Sequence, residues 1–262
     1  MSFETSLLRP EMNPEPNEMF MYDSLTSLAK ELAGHQYPGY PAFRDRLCNP
    51  ALTPELSGVY NLPPGHSDVG AVFPDPAERA ANQQLGLPLD QWGRPLHPWL
   101  EQMITDPSIG VVTGRGFYQK WGPNYTADSV VIKNGHILVV ERHDMGTLAL
   151  PGGFVDPEDT STAVAAEREV KEESTFDLAG LANPILCYQG LVVDIRMTAH
   201  AWPETTAFLF DLGDDDTPLP HVQGKDDAKR ALWLPIEAVR QAPLFGSHSA
   251  IIELALAQRV PA

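Results

Sequence analysis

From about residue 108 the alternation of apolar and polar positions becomes regular enough to read as secondary structure. Ser129 to Ile132 and His136 to Glu141 are β-rich runs joined through Lys133-Asn134-Gly135, and an Asn-Gly pair between two such runs predicts a tight hairpin. Thr147 to Leu150 reads as a short strand that delivers the chain to Pro151-Gly152-Gly153. Further strands are predicted at residues 185–193, 205–212 and 231–234. Two stretches carry a helical period instead. In the first, Ala163, Ala166 and Val170 form an apolar stripe. In the second, spanning about 247–259, Ile251, Leu254 and Leu256 are available for burial. Strands with helices inserted between them predict an α/β fold whose mixed sheet is covered on both faces, an α/β/α sandwich.

The first part of the chain lacks this regularity. Of 25 prolines, 15 lie in the first 110 residues and break the region into short pieces. Residues 20–34 read as a short amphipathic helix ended by Gly34, and residues 43–47 as a further turn. The PPGHSD and FPDP stretches read as loops and turns around short elements. No internal repeat is present. Residues 1–105 are therefore predicted to be a smaller, Pro-rich accessory or cap region, and 106–262 the main domain.

The chemistry concentrates on the first helical stretch. Glu169, Glu172 and Glu173 stand at i, i+3 and i+4 just beyond the Pro-Gly-Gly turn, so on a helix their side chains share one face. Like charges at that spacing repel. A hard divalent cation relieves the repulsion, and Mg²⁺ or Mn²⁺ prefers oxygen-rich carboxylate sets. Asp159, Thr160 and Ser161 offer N-cap oxygens. Arg168, four residues before Glu172, can pair with that carboxylate and fix its rotamer.

Composition narrows the function classes. With 18 basic and 35 acidic residues, a formal charge of -17, there is no basic stripe for a nucleic-acid backbone. Two cysteines, Cys48 and Cys187, are too few for a disulfide scaffold or a cysteine zinc site. The first twenty residues show neither a basic nor an apolar leader pattern, and no apolar stretch approaches ~20 residues. A cytoplasmic protein with no membrane partner is the simplest expectation.

The segment Gly153 to Thr175 resembles the Nudix box, G-x5-E-x7-R-E-U-x-E-E-x-G-U with U aliphatic. Gly153 fits the opening glycine, Arg168-Glu169-Val170 fits R-E-U, and Glu172-Glu173 fits the pair. The spacing to Arg168 is one residue longer than usual, Glu158 or Asp159 stands for the early Glu, and Thr175 replaces the late Gly. Four further blocks resemble mitochondrial-type ADP-ribose pyrophosphatases and the ADP-ribose-sensing domain of a melastatin-type TRP channel. They are GRGFYQKWGPNYTAD from Gly114, YQGLVVDIRMTAHAWPET from Tyr188, GKDDAKRALWLPI from Gly224 and LFGSHSAIIELA from Leu244. With a weaker match near QWGRPLHP, the likeness covers roughly residues 89–260.

The resemblance implies a Nudix sandwich and metal-dependent hydrolysis of ADP-ribose to AMP and ribose 5-phosphate, with Mg²⁺ or Mn²⁺ as cofactor. It implies metal ligands at Glu169, Glu172, Glu173 and the Gly152 carbonyl, and catalytic roles for Glu169, Glu172 and Arg168. Asp226 or Asp227 is the candidate general base and Glu204 the rival. Asp194, Arg196, Ser247 and His248 match substrate-contact segments, and Trp121, Asn124 and Tyr118 could shape the pocket. The alternatives are a sensor that binds ADP-ribose without cleaving it, or a pyrophosphatase for NADH, dinucleoside polyphosphates or nucleotide sugars. RNA decapping is disfavoured by the acidic balance. A monomer or a homodimer is compatible with these features.

Overall fold

The computed structural model describes residues 73–105, 114–116, 118–194 and 196–259. The helix expected at 20–34, the turn at 43–47 and Cys48 lie outside the described residues. Among the described residues the elements run α1 (Pro76–Gln84), α2 (Leu100–Thr105), β1 (Gly122–Lys133), β2 (His136–Arg142), β3 (Leu148–Ala149), β4 (Gly152–Phe154), α3 (Thr162–Ser174), β5 (Ile185–Leu191), β6 (Ala201–Asp211), β7 (Ala228–Pro235), α4 (Ile236–Gln241) and α5 (His248–Gln258).

Seven strands form one mixed sheet. At its centre β1 and β6 run parallel from Gly122↔Ala201 to Ile132↔Asp211. Antiparallel β5 flanks β6. The other edge of β1 is shared by β4, opposite Thr126 to Asp128, and by β2, which turns back at Asn134-Gly135. Both turn residues have positive φ, 47° and 70°, as the Asn-Gly signal requires. Strand β2 also carries β7 and β3.

Successive residues of a strand point to opposite faces, and one pair in β1 shows where the helices lie. The Ser129 hydroxyl donates to the Ala166 carbonyl of α3 at 3.0 Å, while its neighbour Asp128 faces His248 at the start of α5. The two helices therefore cover opposite faces. Burial of β6 is continuous from Ala201 to Phe210, as a strand covered on both sides demands. The sandwich read from the sequence is the fold observed.

Two elements differ from expectation. Strand β6 begins at Ala201 rather than Thr205. Pro203 is tolerated because β5 pairs no further than Leu191↔Glu204, leaving only β1 beside it. The FPDP stretch, read as a turn beside a short element, is non-helical only to Asp75 and runs into a helix from Pro76. Asp75 accepts from the Ala77 and Glu78 amides, Glu78 returns a bond to the Asp75 amide, and Pro76 occupies the first turn. Leu87, Trp99 and Met103 share the buried cluster of the sheet. The Asn82 amide donates to the Trp121 carbonyl at 3.2 Å, and the His97 N–H to the Ala199 carbonyl at 2.9 Å.

Candidate active site

Helix α3 presents its acidic face because its other face is fixed. Ser161 caps it, accepting from the Val164 amide, and Ala165, Ala166 and Val170 are buried against the sheet. It ends at Thr175, whose φ of 62° is left-handed, so the position the family pattern gives to Gly does need that conformation here. Arg168 is the hub of the turn before the helix. Its Nη1 donates to Glu169 Oε1 and Glu172 Oε2, both at 2.8 Å. Its Nη2 donates to the Phe154 carbonyl at 2.9 Å and Asp159 Oδ2 at 3.0 Å. Asp159, not the exposed Glu158, thus takes the place of the early Glu. Burial works to raise the Asp159 carboxyl, but the Arg168 bonds and charge hold it below the usual range.

The two inner carboxylates are shifted upward. Burial pushes Glu169 up to about 7, opposed by Arg168 and reinforced by Glu172 and Asp156. Burial pushes Glu173 up to about 8, with Glu169 and Asp227 adding to it and the Gly152 N–H, donating at 3.0 Å, opposing. Gly152 and Gly153 are needed for room. A Cβ on Gly152 would lie 2.2 Å from Asp128 Oδ1, and one on Gly153 would lie 2.4 Å from Glu169 Oε1.

These groups line one cavity of about 320 Å³. The acidic wall holds Glu169, Glu172, Glu173, Asp156 and, at its mouth, the exposed Asp226 and Asp227. The other wall is cationic and aromatic. Arg196 donates from Nε and Nη2 to the buried Asp194 carboxylate, with Nη2–Oδ2 at 2.6 Å. Burial opposes ionisation of Asp194, yet Arg196 keeps its carboxyl below the ordinary value. Arg142 is held by Asp144 through two bonds at 2.9 and 2.7 Å. The guanidinium centres of Arg142 and Arg196 lie 4.3 and 5.8 Å from the Phe245 ring. Ser247 Oγ accepts from the Val193 amide at 2.7 Å, and His248 Nδ1 from the Leu150 amide at 2.8 Å.

The fold therefore brings Gly152, Arg168, Glu169, Glu172, Glu173, Asp194, Arg196, Asp226, Asp227, Ser247 and His248 to one cavity. It leaves others out. Trp121 is 2 % exposed and packs toward His200, with ring centroids 6.2 Å apart. Asn124 closes its own turn, accepting from the Lys120 amide and donating to the Lys120 and Gly122 carbonyls. Tyr118 is buried edge-on to Phe154. Of their block, Gln119, Thr126 and Asp128 line the cavity instead. Glu204 is buried and accepts from Trp202 Nε1 at 3.1 Å, away from the lining.

Sequence reasoning missed Arg142, Phe245 and Asp128. Arg142 closes a strand and Asp128 sits among other polar residues of β1 such as Thr126 and Ser129, so neither stands out locally.

The donor set suits a hard divalent cation. Among the described residues no three His, Cys, Asp or Glu side chains already converge as a cation shell, since Arg168 bridges Glu169 and Glu172 and Glu173 turns to the Gly152 amide. Burial first, and neighbouring carboxylates second, raise Glu169 and Glu173; Mg²⁺ or Mn²⁺ would offset both by supplying positive charge, and carboxylate oxygens are the ligands those ions favour.

The NUDIX domain model matches residues 123–254, half of the chain. Nudix hydrolase 6 of Caenorhabditis elegans is 36 % identical over 157 residues, covering 55 % of this chain and 58 % of that protein. The mitochondrial ADP-ribose pyrophosphatase of Rattus norvegicus is 29 % identical over 212 residues, covering 67 % of this chain and 57 % of that one. The chain thus spans somewhat over half the length of these curated relatives. Among solved structures, a bifunctional NMN adenylyltransferase/ADP ribose pyrophosphatase from Francisella tularensis, complexed with AMP and a manganese ion, is similar at 25 % identity. It covers 54 % of this chain and 43 % of that one, with a TM-score of 0.44. No helix among the described residues is long and apolar enough to cross a membrane.

Proposed function

The chain belongs to the Nudix family, and from that premise we propose that it hydrolyses the diphosphate of ADP-ribose, giving AMP and ribose 5-phosphate. The observation that carries the reading is the two-walled cavity, with the carboxylates of α3 opposite Arg142, Arg196 and Phe245. The likeness to an ADP-ribose pyrophosphatase supports the choice of substrate.

A diphosphate repels an incoming hydroxide. Glu169, Glu172, Glu173 and the Gly152 carbonyl would hold Mg²⁺ or Mn²⁺, which supplies charge neutralisation at the diphosphate and lowers the pKa of a bound water. The remaining work falls to side chains. Arg168 positions Glu169 and Glu172 by donating to both, and ties them to the turn through Phe154 and Asp159. Arg142 and Arg196, each held by its own aspartate, present planar donors to anionic oxygens. In this reading Asp226 or Asp227, both of which line the cavity, serves as the base that takes a proton from the attacking water. One phosphorus takes the water oxygen and the other phosphate leaves, with no covalent enzyme intermediate.

The test is product analysis by chromatography with Mg²⁺ and separate samples of ADP-ribose, NADH, a diadenosine polyphosphate and a sugar nucleotide. AMP and ribose 5-phosphate are expected fastest from ADP-ribose, and chelator abolishes them. Binding of ADP-ribose without turnover of any sample would replace this reading with that of a sensor.

A further inference from the structure

His248 has one available proton and its place is settled. Nδ1 accepts from the Leu150 amide at 2.8 Å, so in the neutral ring Nε2 carries the hydrogen. The ring is held edge-on to Phe245, with centroids 5.9 Å apart, and lines the cavity. Its Nε2 lies 3.7 Å from Asp128 Oδ1, beyond a direct hydrogen bond. Asp128 is fixed as well, since its Oδ2 accepts from the Thr205 hydroxyl at 2.5 Å. Oδ1 remains against Gly152, where no side chain could stand.

The cavity thus contains a group that only donates beside a group that only accepts. A phosphate oxygen cannot donate to Asp128 and is repelled by it. An ammonium cannot accept from His248. A hydroxyl does both, and an oxygen about 2.8 Å from each atom bridges a gap of this width. The geometry points to Asp128 and His248 as a hydroxyl-recognising subsite, which takes a free hydroxyl of one of the substrate's two riboses and rejects the same position when it is phosphorylated. This rests on the ADP-ribose reading and adds to it the sugar group that the site selects and a residue, Asp128, that selects it.

The experiment compares kcat/KM of the full chain with Mg²⁺ for ADP-ribose and for monodeoxy analogues lacking each ribose hydroxyl in turn. One analogue is expected to lose roughly 10- to 100-fold, because it leaves a buried donor and acceptor unmatched. In Asp128→Ala that deficit shrinks to within about threefold. Asp128→Asn does not restore it, because its amide oxygen is drawn to Thr205 and a donor then stands at the Oδ1 position. Calorimetric Kd values for the same panel read the subsite even without turnover. Failure of the hydrolase reading and failure of the subsite are thereby distinct. Wild-type deficits all within twofold, or a deficit that persists unchanged in Asp128→Ala, overturn the assignment. If the variants do not melt as folded proteins, the wild-type panel decides alone.

Discussion

His97 and His200 are buried where residues 85–99 meet the sheet, and replacing His97 by Asn tests whether burial keeps them uncharged. The His97 ring stands edge-on to Trp202 at 4.9 Å, its Nδ1 accepts from the Trp99 amide at 2.9 Å, and His200 Nδ1 meets the Pro95 carbonyl at 2.8 Å. Burial, reinforced by His200, pushes His97 down to about 3. Burial, reinforced by Arg94, pushes His200 down to about 4. Each takes a proton near 6.5 in the unfolded chain, so the unfolded state binds more protons below that value. The stability each contributes is complete above pH 6.5 and declines as pH falls toward its folded value. At pH 5 the loss is about 2 kcal/mol per histidine, from about 1.5 pH units at 1.36 kcal/mol each.

Glu169 and Glu173, raised to about 7 and 8, work in the opposite sense, since acidification relieves their buried charge. The wild-type curve is therefore a sum of opposed slopes, and the difference between variant and wild type isolates the histidine. His97→Asn keeps an acceptor for the Trp99 amide and removes the ring. Urea unfolding in EDTA, followed by tryptophan fluorescence, measures both proteins at pH 7.5 and 5.0. The variant is expected to be less stable by about 2–3 kcal/mol at pH 7.5 from lost packing, and the gap to narrow by about 2 kcal/mol at pH 5.0. A gap that stays constant within about 0.5 kcal/mol would refute the reasoning.

Three other outcomes are expected. Glu173→Gln removes a buried charge that the metal-free protein tolerates poorly, so in EDTA it unfolds at higher urea than wild type at pH 8. That advantage disappears by pH 5, while Mg²⁺-dependent turnover falls more than about 100-fold. Gly153→Ala would press a methyl group into Glu169, lowering kcat by about tenfold or more with little change in the circular dichroism spectrum. Trp121→Phe, a change at a buried residue outside the cavity lining, is expected to lower stability by about 1–2 kcal/mol and leave KM within about twofold in a steady-state assay.

Periodicity and turn chemistry made the main elements and the acidic wall legible. Asn134-Gly135 specifies the hairpin because a tight turn needs two positive φ values there. Residues 162–174 specify a helix because their apolar stripe and Ser161 cap agree, and the Arg168, Glu169, Glu172 and Glu173 spacing puts the charges on one face whatever surrounds them. These are local causes, acting over at most two turns of chain. The cationic wall depends on contacts between distant segments. Arg142, Arg196 and Phe245 come from a strand end, a loop and the approach to α5, and their sequence neighbours do not record that they meet. Trp121 and Asn124 show the converse. An aromatic and an amide in a shared block suggest a pocket, yet burial under His200 and a turn closed by its own carbonyls account for both. Asp128 belongs wholly to the tertiary structure. Only the packing of α5 against β1 brings His248 within 3.7 Å of it, and only the β4 glycine leaves its oxygen room, because strand pairing and helix docking join residues that the chain keeps far apart.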